Sequence, residues 1–250
     1  MEYNCTQFTE PYLHPSTDEA MNSTIPWLIT TVVQAYRPYH YYLLTFIVVF
    51  SFVVNILIVK VLSHKEMRYS GVNVTMLVIS VCDFACAVTG LAQLYLRNYS
   101  DGYSSYLTAY SQITVDYLSV AFHASSLYLA VGMAFCKVMS LKGSNKNRGQ
   151  WQSPLYAFRM VLAICTPVFI MGTIVIFVNE VKQTEKDGIY METSDLSIAH
   201  GCLYMKITIL ANGICFKMIP CLSMLCLSFI ILKRMDEAKK SAVHTRSVKE

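Results

Sequence analysis

The sequence predicts an all-α integral membrane protein with five membrane-spanning helices. Apolar residues make up 54% of the 250-residue chain and charged residues only 14%, whereas soluble domains have about 25% charged residues. Five apolar runs of roughly 20 residues or more are each long enough to cross a hydrocarbon core about 30 Å thick. We place these runs at about 41–62, 73–96, 107–138, 156–178 and 207–232.

The runs divide the chain into three regions. Residues 1–39 are polar and form an extracellular N-terminal tail, and residues 40–234 form the transmembrane domain. Residues 235–250 form a cytoplasmic tail or the start of a third inner loop. The chain does not open with a basic region and a short apolar segment, so we expect the first crossing to serve as the signal-anchor.

The distribution of basic residues predicts the orientation. Fourteen Lys and Arg residues fall on the side of the C-terminus and five on the side of the N-terminus, with Lys217 inside a run. Basic residues concentrate on the cytoplasmic side of membrane proteins. Five crossings also require the termini to lie on opposite sides. We therefore expect a multi-pass protein of the plasma membrane, with the N-terminus outside and the C-terminus in the cytoplasm.

Glycosylation sequons agree with this orientation. Asn4, Asn22 and Asn98 each begin an Asn-x-Ser/Thr sequon on the predicted outer side, and we expect them to be glycosylated. Asn73 begins a fourth sequon at the predicted inner end of the second run. We expect Asn73 to be unmodified.

The cysteines predict neither a metal site nor a disulfide framework. Seven of the nine lie in apolar runs, where cysteine usually acts as a small apolar residue. Cys82 and Cys86 share a helix face, but no further residue completes a set of four ligands. Only Cys5 and Cys202 lie outside the membrane, where oxidation can occur, and a bridge between them is left open. No motif predicts a cofactor, an enzyme or nucleic-acid binding.

Polar residues inside the crossings cost free energy unless they have hydrogen-bond partners or serve a function. Asn55 lies in the first run and Asp83 in the second. Four polar residues of the third run follow spacings of three, four and three and so share one helical stripe: Asp116, Ser119, His123 and Ser126. We expect this stripe to face the bundle interior, where its serine and histidine side chains are partners for Asp83.

Several of these segments resemble rhodopsin-like G protein-coupled receptors. The segments NILIV and LVISVCDF resemble the first two helices of that superfamily, and the fifth run has a proline, Pro220, where its fifth helix has one. The combination of FH…LYLAV…FCKV with NGICFKMIPC is similar to the FMRFamide and myosuppressin receptor-like group, serpentine class W. The resemblance covers about residues 40–235.

The resemblance implies the five-helix portion of a seven-transmembrane receptor bundle with a peptide ligand, of RFamide type. It implies a ligand pocket with Asp116, His123 and Lys217, and an interior polar network with Asn55, Asp83 and Ser126. The arginine of such a peptide would pair with Asp116 or with the acidic second outer loop. Lys137 would face the heterotrimeric G protein that complete relatives bind.

The chain also departs from the superfamily pattern. The triplet at the inner end of the third run reads Cys136-Lys137-Val138, so a lysine replaces arginine and the neighbouring carboxylate is missing. Tyr128 stands where the group usually has tryptophan, and Gln112 stands where most receptors have a cysteine bridged to the second outer loop. Because these 250 residues contain no sixth or seventh helix, we expect this chain not to signal alone.

Two other functions are left open by the sequence. One is a non-signalling membrane protein that pairs with full-length receptors, as part of a homo- or hetero-oligomer. The other is a small transporter or channel subunit that uses Asp83 and Asp116 as an ion path. Inverted repeats would favour transport, and the sequence shows none.

Overall fold

A computed structural model of the chain describes residues 24–99, 105–142, 149–184 and 188–247. Within these ranges, five helices are long and apolar enough to cross a membrane. The spans are Pro38–Leu62, Gly71–Leu96, Tyr106–Leu141, Pro154–Val175 and Asp195–Glu237. The predicted number and order of crossings are confirmed.

The first helix, α1 (Thr24–Leu62), begins well before the predicted boundary at residue 40. Part of the segment assigned to the N-terminal tail, from Thr24 onward, is therefore helical. Pro26 lies in the first turn, where proline costs little because the amide hydrogens there have no partner within the helix. Pro38 lies inside the helix, at the start of the membrane span.

Helices α2 to α4 follow with short connections. A 3₁₀ turn at Lys65–Tyr69 precedes α2 (Gly71–Tyr99), and α3 is Tyr106–Lys142. α4 (Pro154–Gly172) begins with a cap in which the Tyr156 amide donates to Ser153 Oγ at 3.3 Å. Pro154 occupies the first turn of α4, a position that proline favours. A short 3₁₀ turn, Thr173–Val175, follows α4.

The long loop between the fourth and fifth crossings forms a β-hairpin, which the sequence analysis did not predict. β1 (Asn179–Thr184) pairs antiparallel with β2 (Gly188–Thr193). Two buried serines attach the hairpin to the chain that precedes it. Ser194 Oγ donates to the Phe177 carbonyl at 2.6 Å, and Ser197 Oγ donates to the Val178 carbonyl at 2.9 Å.

The fifth crossing has three parts: α5 (Asp195–Leu210), a π-helix (Ala211–Met218) and α6 (Ile219–Ser247). The backbone of α5 is broken at Ala199–Cys202, where His200, Gly201 and Cys202 have positive φ angles of 53°, 68° and 64°. Cys202 is fully buried and disulfide-bonded. Cys5, the partner that the sequence analysis considered, lies outside the described residues.

The chain divides into two compact units, and several helices contribute to both. The first unit comprises Met1–Ser51, Ala87–Asp116 and Ile174–Ile209, of which the described parts include the hairpin. In this unit Tyr204 Oη donates to the Ile174 carbonyl at 2.7 Å, and Tyr106 Oη donates to Gln183 at 2.8 Å.

The second unit comprises Phe52–Cys86, Tyr117–Thr173 and Leu210–Glu250. Its core is a cluster of Ala124, Val168 and Phe216, packed against Val120, Tyr128 and Cys215. These side chains come from α3, α4 and the π-helix, so three crossings meet at this cluster.

Candidate ligand site

A cavity of about 250 Å³ lies within the second unit, beside the core cluster. Its walls come from α2, α3 and the π-helix. The lining residues are Cys86, Ser119, Val120, His123, Asn212, Phe216 and Lys217. The structure thus brings together two of the three predicted pocket residues, His123 and Lys217, and adds Asn212, which the sequence analysis did not identify.

The π-helix brings Asn212 and Lys217 to the same cavity. In an α-helix, side chains five residues apart point about 140° away from each other, because each residue turns the helix by about 100°. In a π-helix, residues i and i+5 are hydrogen-bonded neighbours on one face. Ala211–Met218 has this geometry directly before Pro220, a residue that lacks an amide hydrogen for the preceding turn. The distortion therefore determines which side chains reach the cavity.

Tyr128 stabilises the π-helix from α3. Its hydroxyl donates a hydrogen bond to the Cys215 carbonyl, in a segment where π geometry and Pro220 interrupt the regular helical pattern. Inside a membrane, a backbone carbonyl without a partner costs free energy. A tryptophan at this position would have only its indole N–H as a donor, at a different distance from the backbone. Tyrosine therefore suits the hydrogen bond to the Cys215 carbonyl.

We expect Tyr128→Phe to destabilise the detergent-solubilised protein by about 1–2 kcal/mol, because the Cys215 carbonyl would lose its donor. The measurement is the midpoint of thermal unfolding. Tyr110→Phe, on an exposed side chain of α3 in the first unit, is the matched control. Equal midpoints for the two variants would contradict the role of the Tyr128 hydroxyl.

The cavity contains an ammonium group and no carboxylate. Lys217 is exposed to it, and the seven lining residues include no Asp or Glu. The Asn212 Oδ1 atom is buried without a hydrogen-bond partner among the described residues. The His123 ring is exposed and lies within electrostatic range of Lys217 and Asp83. Such a lining is suited to a ligand group that accepts a hydrogen bond from Lys217.

Asp116, the third predicted pocket residue, does not line this cavity. It belongs to the first unit and is half-buried. Its Oδ1 atom accepts hydrogen bonds from Gln93 Nε2 at 2.7 Å and from Gln112 Nε2 at 2.9 Å. Gln112, which stands at the position of the usual receptor cysteine, is thus a buried hydrogen-bond donor. Gln93 was missed in the sequence, although a glutamine inside an apolar run signals a need for a partner.

The predicted interior network lies in the second unit. Asn55 and Ser126 are buried, with 8% and 6% of their surface exposed, and Asp83 is half-buried. Asp83 lies within electrostatic range of Cys86 and His123, so it belongs to the surroundings of the cavity. Direct contact of Asp83 with Asn55 and Ser126 stays a prediction.

Lys137, predicted to face a G protein, is exposed near the inner end of α3. Its neighbour Cys136 is buried and lies against α4, with its Sγ atom 3.6 Å from Met160 Sδ. The two residues therefore point to different surroundings. Contact of Lys137 with a G protein stays a prediction.

The predicted glycosylation sites lie at or beyond the edge of the described residues. Asn4 and Asn22 lie outside them, and Asn98 lies in the last turn of α2. Asn73 donates from Nδ2 to the Met67 carbonyl at 2.9 Å. The expectation that Asn73 is unmodified stays a prediction.

The hairpin contains a second charged cluster, in the first unit. Lys182 Nζ lies 2.6 Å from Glu180, 3.3 Å from Glu192 and 3.5 Å from Asp195. Hydrogen bonds that the Lys182 ammonium donates to the carboxylates of Glu180 and Glu192 raise the pKa of Lys182 above its ordinary value of 10.5. Three carboxylates, two from the hairpin and one from the start of α5, surround one ammonium, so this cluster has a negative surplus.

The raised pKa of Lys182 predicts how the hairpin responds to pH. A group whose pKa rises on folding stabilises the fold fully below its ordinary pKa and loses that contribution only as the pH rises through the raised value. We therefore expect amide exchange in the hairpin, corrected for its intrinsic pH dependence, to be unchanged between pH 7 and 9. Lys182→Gln should increase this exchange, most strongly at low salt. A fall in protection of the unaltered hairpin between pH 7 and 9 would contradict this assignment.

Among the described residues, no group of three or more His, Cys, Asp or Glu side chains is placed to hold a metal ion.

Five helices that are long and apolar enough to cross a membrane, three of which line a cavity, indicate a multi-pass membrane protein. The sequence profile of the family described as serpentine type 7TM GPCR chemoreceptor Srw matches residues 40–250. This match covers most of the chain, and the chain belongs to that family. Membership in a receptor family confirms the predicted superfamily, subgroup and non-enzymatic class.

A curated relative also supports the receptor family. The chain is 24% identical over 237 residues to the "G-protein coupled receptor dmsr-1" of Caenorhabditis elegans. The alignment covers 86% of this chain and 46% of that receptor. The chain thus spans about half the length of the curated relative that it matches.

Proposed function

We propose that this chain forms the ligand-binding portion of a neuropeptide receptor that couples to a heterotrimeric G protein. The receptor family and the similarity to a G protein-coupled receptor support this function. The excess of basic residues on one side supports a plasma-membrane protein with the N-terminus outside and the C-terminus in the cytoplasm.

The observation that carries the proposal is the chemistry of the cavity. A volume of about 250 Å³ is smaller than the roughly 300–1,000 Å³ of sites that enclose a whole small ligand. It is suited to one end of a longer ligand. Lys217 and Asn212 would bind that end, and the Phe216 and Val120 side chains would pack against its apolar part.

A C-terminal carboxamide satisfies both polar groups. Its carbonyl oxygen would accept a hydrogen bond from the Lys217 ammonium. Its amide nitrogen would donate to Asn212 Oδ1, which is buried without a partner among the described residues and would turn toward the ligand on binding. A carboxylate would satisfy Lys217 but would offer no donor to Asn212. An RFamide-type peptide ends in this group.

The arginine of such a peptide would bind elsewhere. A guanidinium beside Lys217 would be repelled, because the two charges have the same sign. The predicted pairing of this arginine with Asp116 or with the acidic loop stays a prediction.

The test uses cells without related receptors and a chimera that joins this chain to the C-terminal part of the C. elegans relative. Surface expression is confirmed first, and a second messenger is recorded with a panel of RFamide peptides. Each peptide has a free-acid twin as its matched control. We expect dose-dependent responses to amidated peptides and at least tenfold lower potency for the free acids.

Each outcome has a distinct meaning. Silence of the surface-expressed chimera toward every peptide would contradict the receptor function. A response that favours the free acids would keep the receptor function and overturn the carboxamide assignment. The 250-residue chain alone is expected to give no response. Reduced signalling when it is co-expressed with a complete receptor would instead favour the interaction protein that pairs with full-length receptors.

A further inference from the structure

Two thiols that do not line the ligand cavity meet between α2 and α4. Cys82 and Cys165 are both free cysteines, and the Cys82 thiol interacts with Cys165 as a hydrogen-bond donor. Cys82 is buried, whereas Cys165 is half-buried. Both residues belong to the second unit, so the pair lies within one compact part of the structure.

The packing of α2 against α4 places the two thiols at the same depth. The helices meet at their starts, where a Cβ atom on Gly71 would lie 2.6 Å from the Ser153 carbonyl oxygen. They run in the same direction, because one crossing separates them. Cys82 follows Gly71 by 11 residues and Cys165 follows Ser153 by 12, which at about 1.5 Å per residue places both roughly 16–18 Å along the helices. Eleven residues make almost three full turns, so Cys82 lies on the face of α2 that Gly71 turns toward α4.

A serine of α3 completes the surroundings of the pair. Ser125 is fully buried and its hydroxyl faces Cys165, and the preceding residue, Ala124, belongs to the same core cluster as Val168 of α4. The Ser125 Oγ atom has no hydrogen bond of regular geometry among the described residues, so its proton can be donated to the sulfur. A thiolate on Cys165 would therefore have two donors, Ser125 and Cys82, and donors favour the charged form. The thiolate is the form of cysteine that reacts with oxidants.

Cys165 is the member of the pair that can be reached from the hydrocarbon region. It lies in the membrane span Pro154–Val175, where its neighbours Leu162 and Thr166 are exposed. Cys82 is covered by the surrounding helices. An apolar oxidant dissolved in the membrane would thus meet the Cys165 sulfur first, with the Cys82 thiol directly behind it.

We propose that a hydroperoxide oxidises Cys82 and Cys165 to a disulfide bond, which links α2 to α4 within the membrane. The Cys165 sulfur attacks the terminal oxygen of the hydroperoxide, so that an S–O bond forms and the O–O bond breaks. The departing oxygen takes the Cys165 proton and leaves as an alcohol, or as water when the oxidant is hydrogen peroxide.

The second step closes the disulfide. The Cys82 sulfur attacks the sulfenic sulfur of Cys165, so that the S–S bond forms and the S–O bond breaks. The departing hydroxide takes the Cys82 proton and leaves as water. Two thiols are oxidised for each hydroperoxide reduced. The product is uncharged, which suits the membrane interior, whereas a metal ion between the sulfurs would require two thiolates near the Asp83 carboxylate. This inference is independent of the ligand proposed above.

The test uses the purified 250-residue chain in a neutral detergent, under argon. One sample receives hydrogen peroxide, a second receives cumene hydroperoxide and a third receives neither. Thiols that remain are alkylated after denaturation, and the digest is examined by mass spectrometry without reduction. We expect peptides joined through Cys82 and Cys165 in both oxidised samples and not in the third. Cumene hydroperoxide should form the link faster, because it is apolar and enters the detergent micelle.

Control variants separate the pair from general oxidation. Cys165→Ala should abolish the link and leave Cys82 alkylated. Ser125→Ala should slow formation of the link by about three- to tenfold, because one donor to the Cys165 sulfur is lost. The matched control is Ser140→Ala, on another buried serine of α3, whose hydroxyl donates to the Lys137 carbonyl. This variant should form the link at the rate of the unaltered protein. Circular dichroism confirms that each variant is folded.

The thermal unfolding midpoint gives a second readout, because a covalent link between α2 and α4 restricts the unfolded chain. Hydroperoxide should raise the midpoint of the unaltered protein by several degrees and leave that of Cys165→Ala unchanged. Recovery of Cys82 as an alkylated thiol, with only sulfinic or sulfonic acid on Cys165, would show that the two sulfurs cannot meet and would overturn the proposal. Disulfides formed equally fast by the exposed Cys221 and Cys226 would also overturn it, since oxidation would then follow exposure.

Discussion

Replacing Gly71 with alanine should destabilise the protein by about 1–3 kcal/mol, the usual range for steric overpacking. A Cβ atom at Gly71 would lie 2.6 Å from the Ser153 carbonyl oxygen and 2.7 Å from that of Gln152. Both atoms belong to backbone just before α4, so no side chain can move aside to relieve the overlap. The start of α2 would have to separate from this segment, with loss of packing in the second unit.

Two other glycines provide matched controls. At Gly132 the new Cβ would meet the flexible ends of Met160 and Ile164, at 2.9 and 3.0 Å, and at Gly213 it would meet no atom within 4 Å. The expected order of destabilisation is therefore Gly71 first, Gly132 second and Gly213 last. The measurement is the thermal unfolding midpoint of each alanine variant in detergent. A Gly71 variant as stable as the Gly213 variant would show that the contact at 152–153 is absent.

The second large effect is expected at Lys217. Lys217→Met should lower the potency of the amidated peptides in the receptor chimera by about 10–100-fold. This loss corresponds to one hydrogen bond to a charged group, which contributes roughly 1.5–3 kcal/mol. Methionine keeps the length and apolar stem of lysine and removes the donor. Surface expression should be unchanged, since Lys217 is not part of the buried core.

Lys206→Met is the control, because it removes the same charge from the same crossing at an exposed residue outside the cavity lining. We expect less than a threefold change in potency for this variant. Lys217→Arg keeps the charge and should lose less than Lys217→Met. If the Lys217→Met and Lys206→Met chimeras had equal potency, the cavity would not be the site of the peptide end.

The crossings and the family followed from the sequence because they depend on local properties. Runs of apolar residues long enough to span a bilayer are visible in any window of the chain, and the five spans confirm them. The hairpin was not predicted, because strands of six residues in a charged loop have little apolar alternation. Its anchoring depends on contacts of Ser194 and Ser197 with carbonyls 17 and 19 residues away.

The sequence identified the polar residues inside the membrane as important, because burying a polar side chain in lipid without a partner costs free energy. It did not identify their hydrogen-bond partners. Asp116, His123 and Lys217 formed one predicted pocket, whereas only His123 and Lys217 line the cavity. The carboxylate of Asp116 is instead held by Gln93 and Gln112. Gln93 is 23 residues away in the chain, and no local pattern in the sequence indicates which donor a buried carboxylate will bind.

The sequence by itself determined the membrane class, the number of crossings and the receptor family, because hydropathy and residue order express these directly. The tertiary structure decided which side chains share the cavity. That choice depends on the π-helix at Ala211–Met218, which turns Lys217 toward the same side as Asn212. A sequence interpreted with α-helical periodicity places these two residues about 140° apart, so only the folded backbone shows that they form one site.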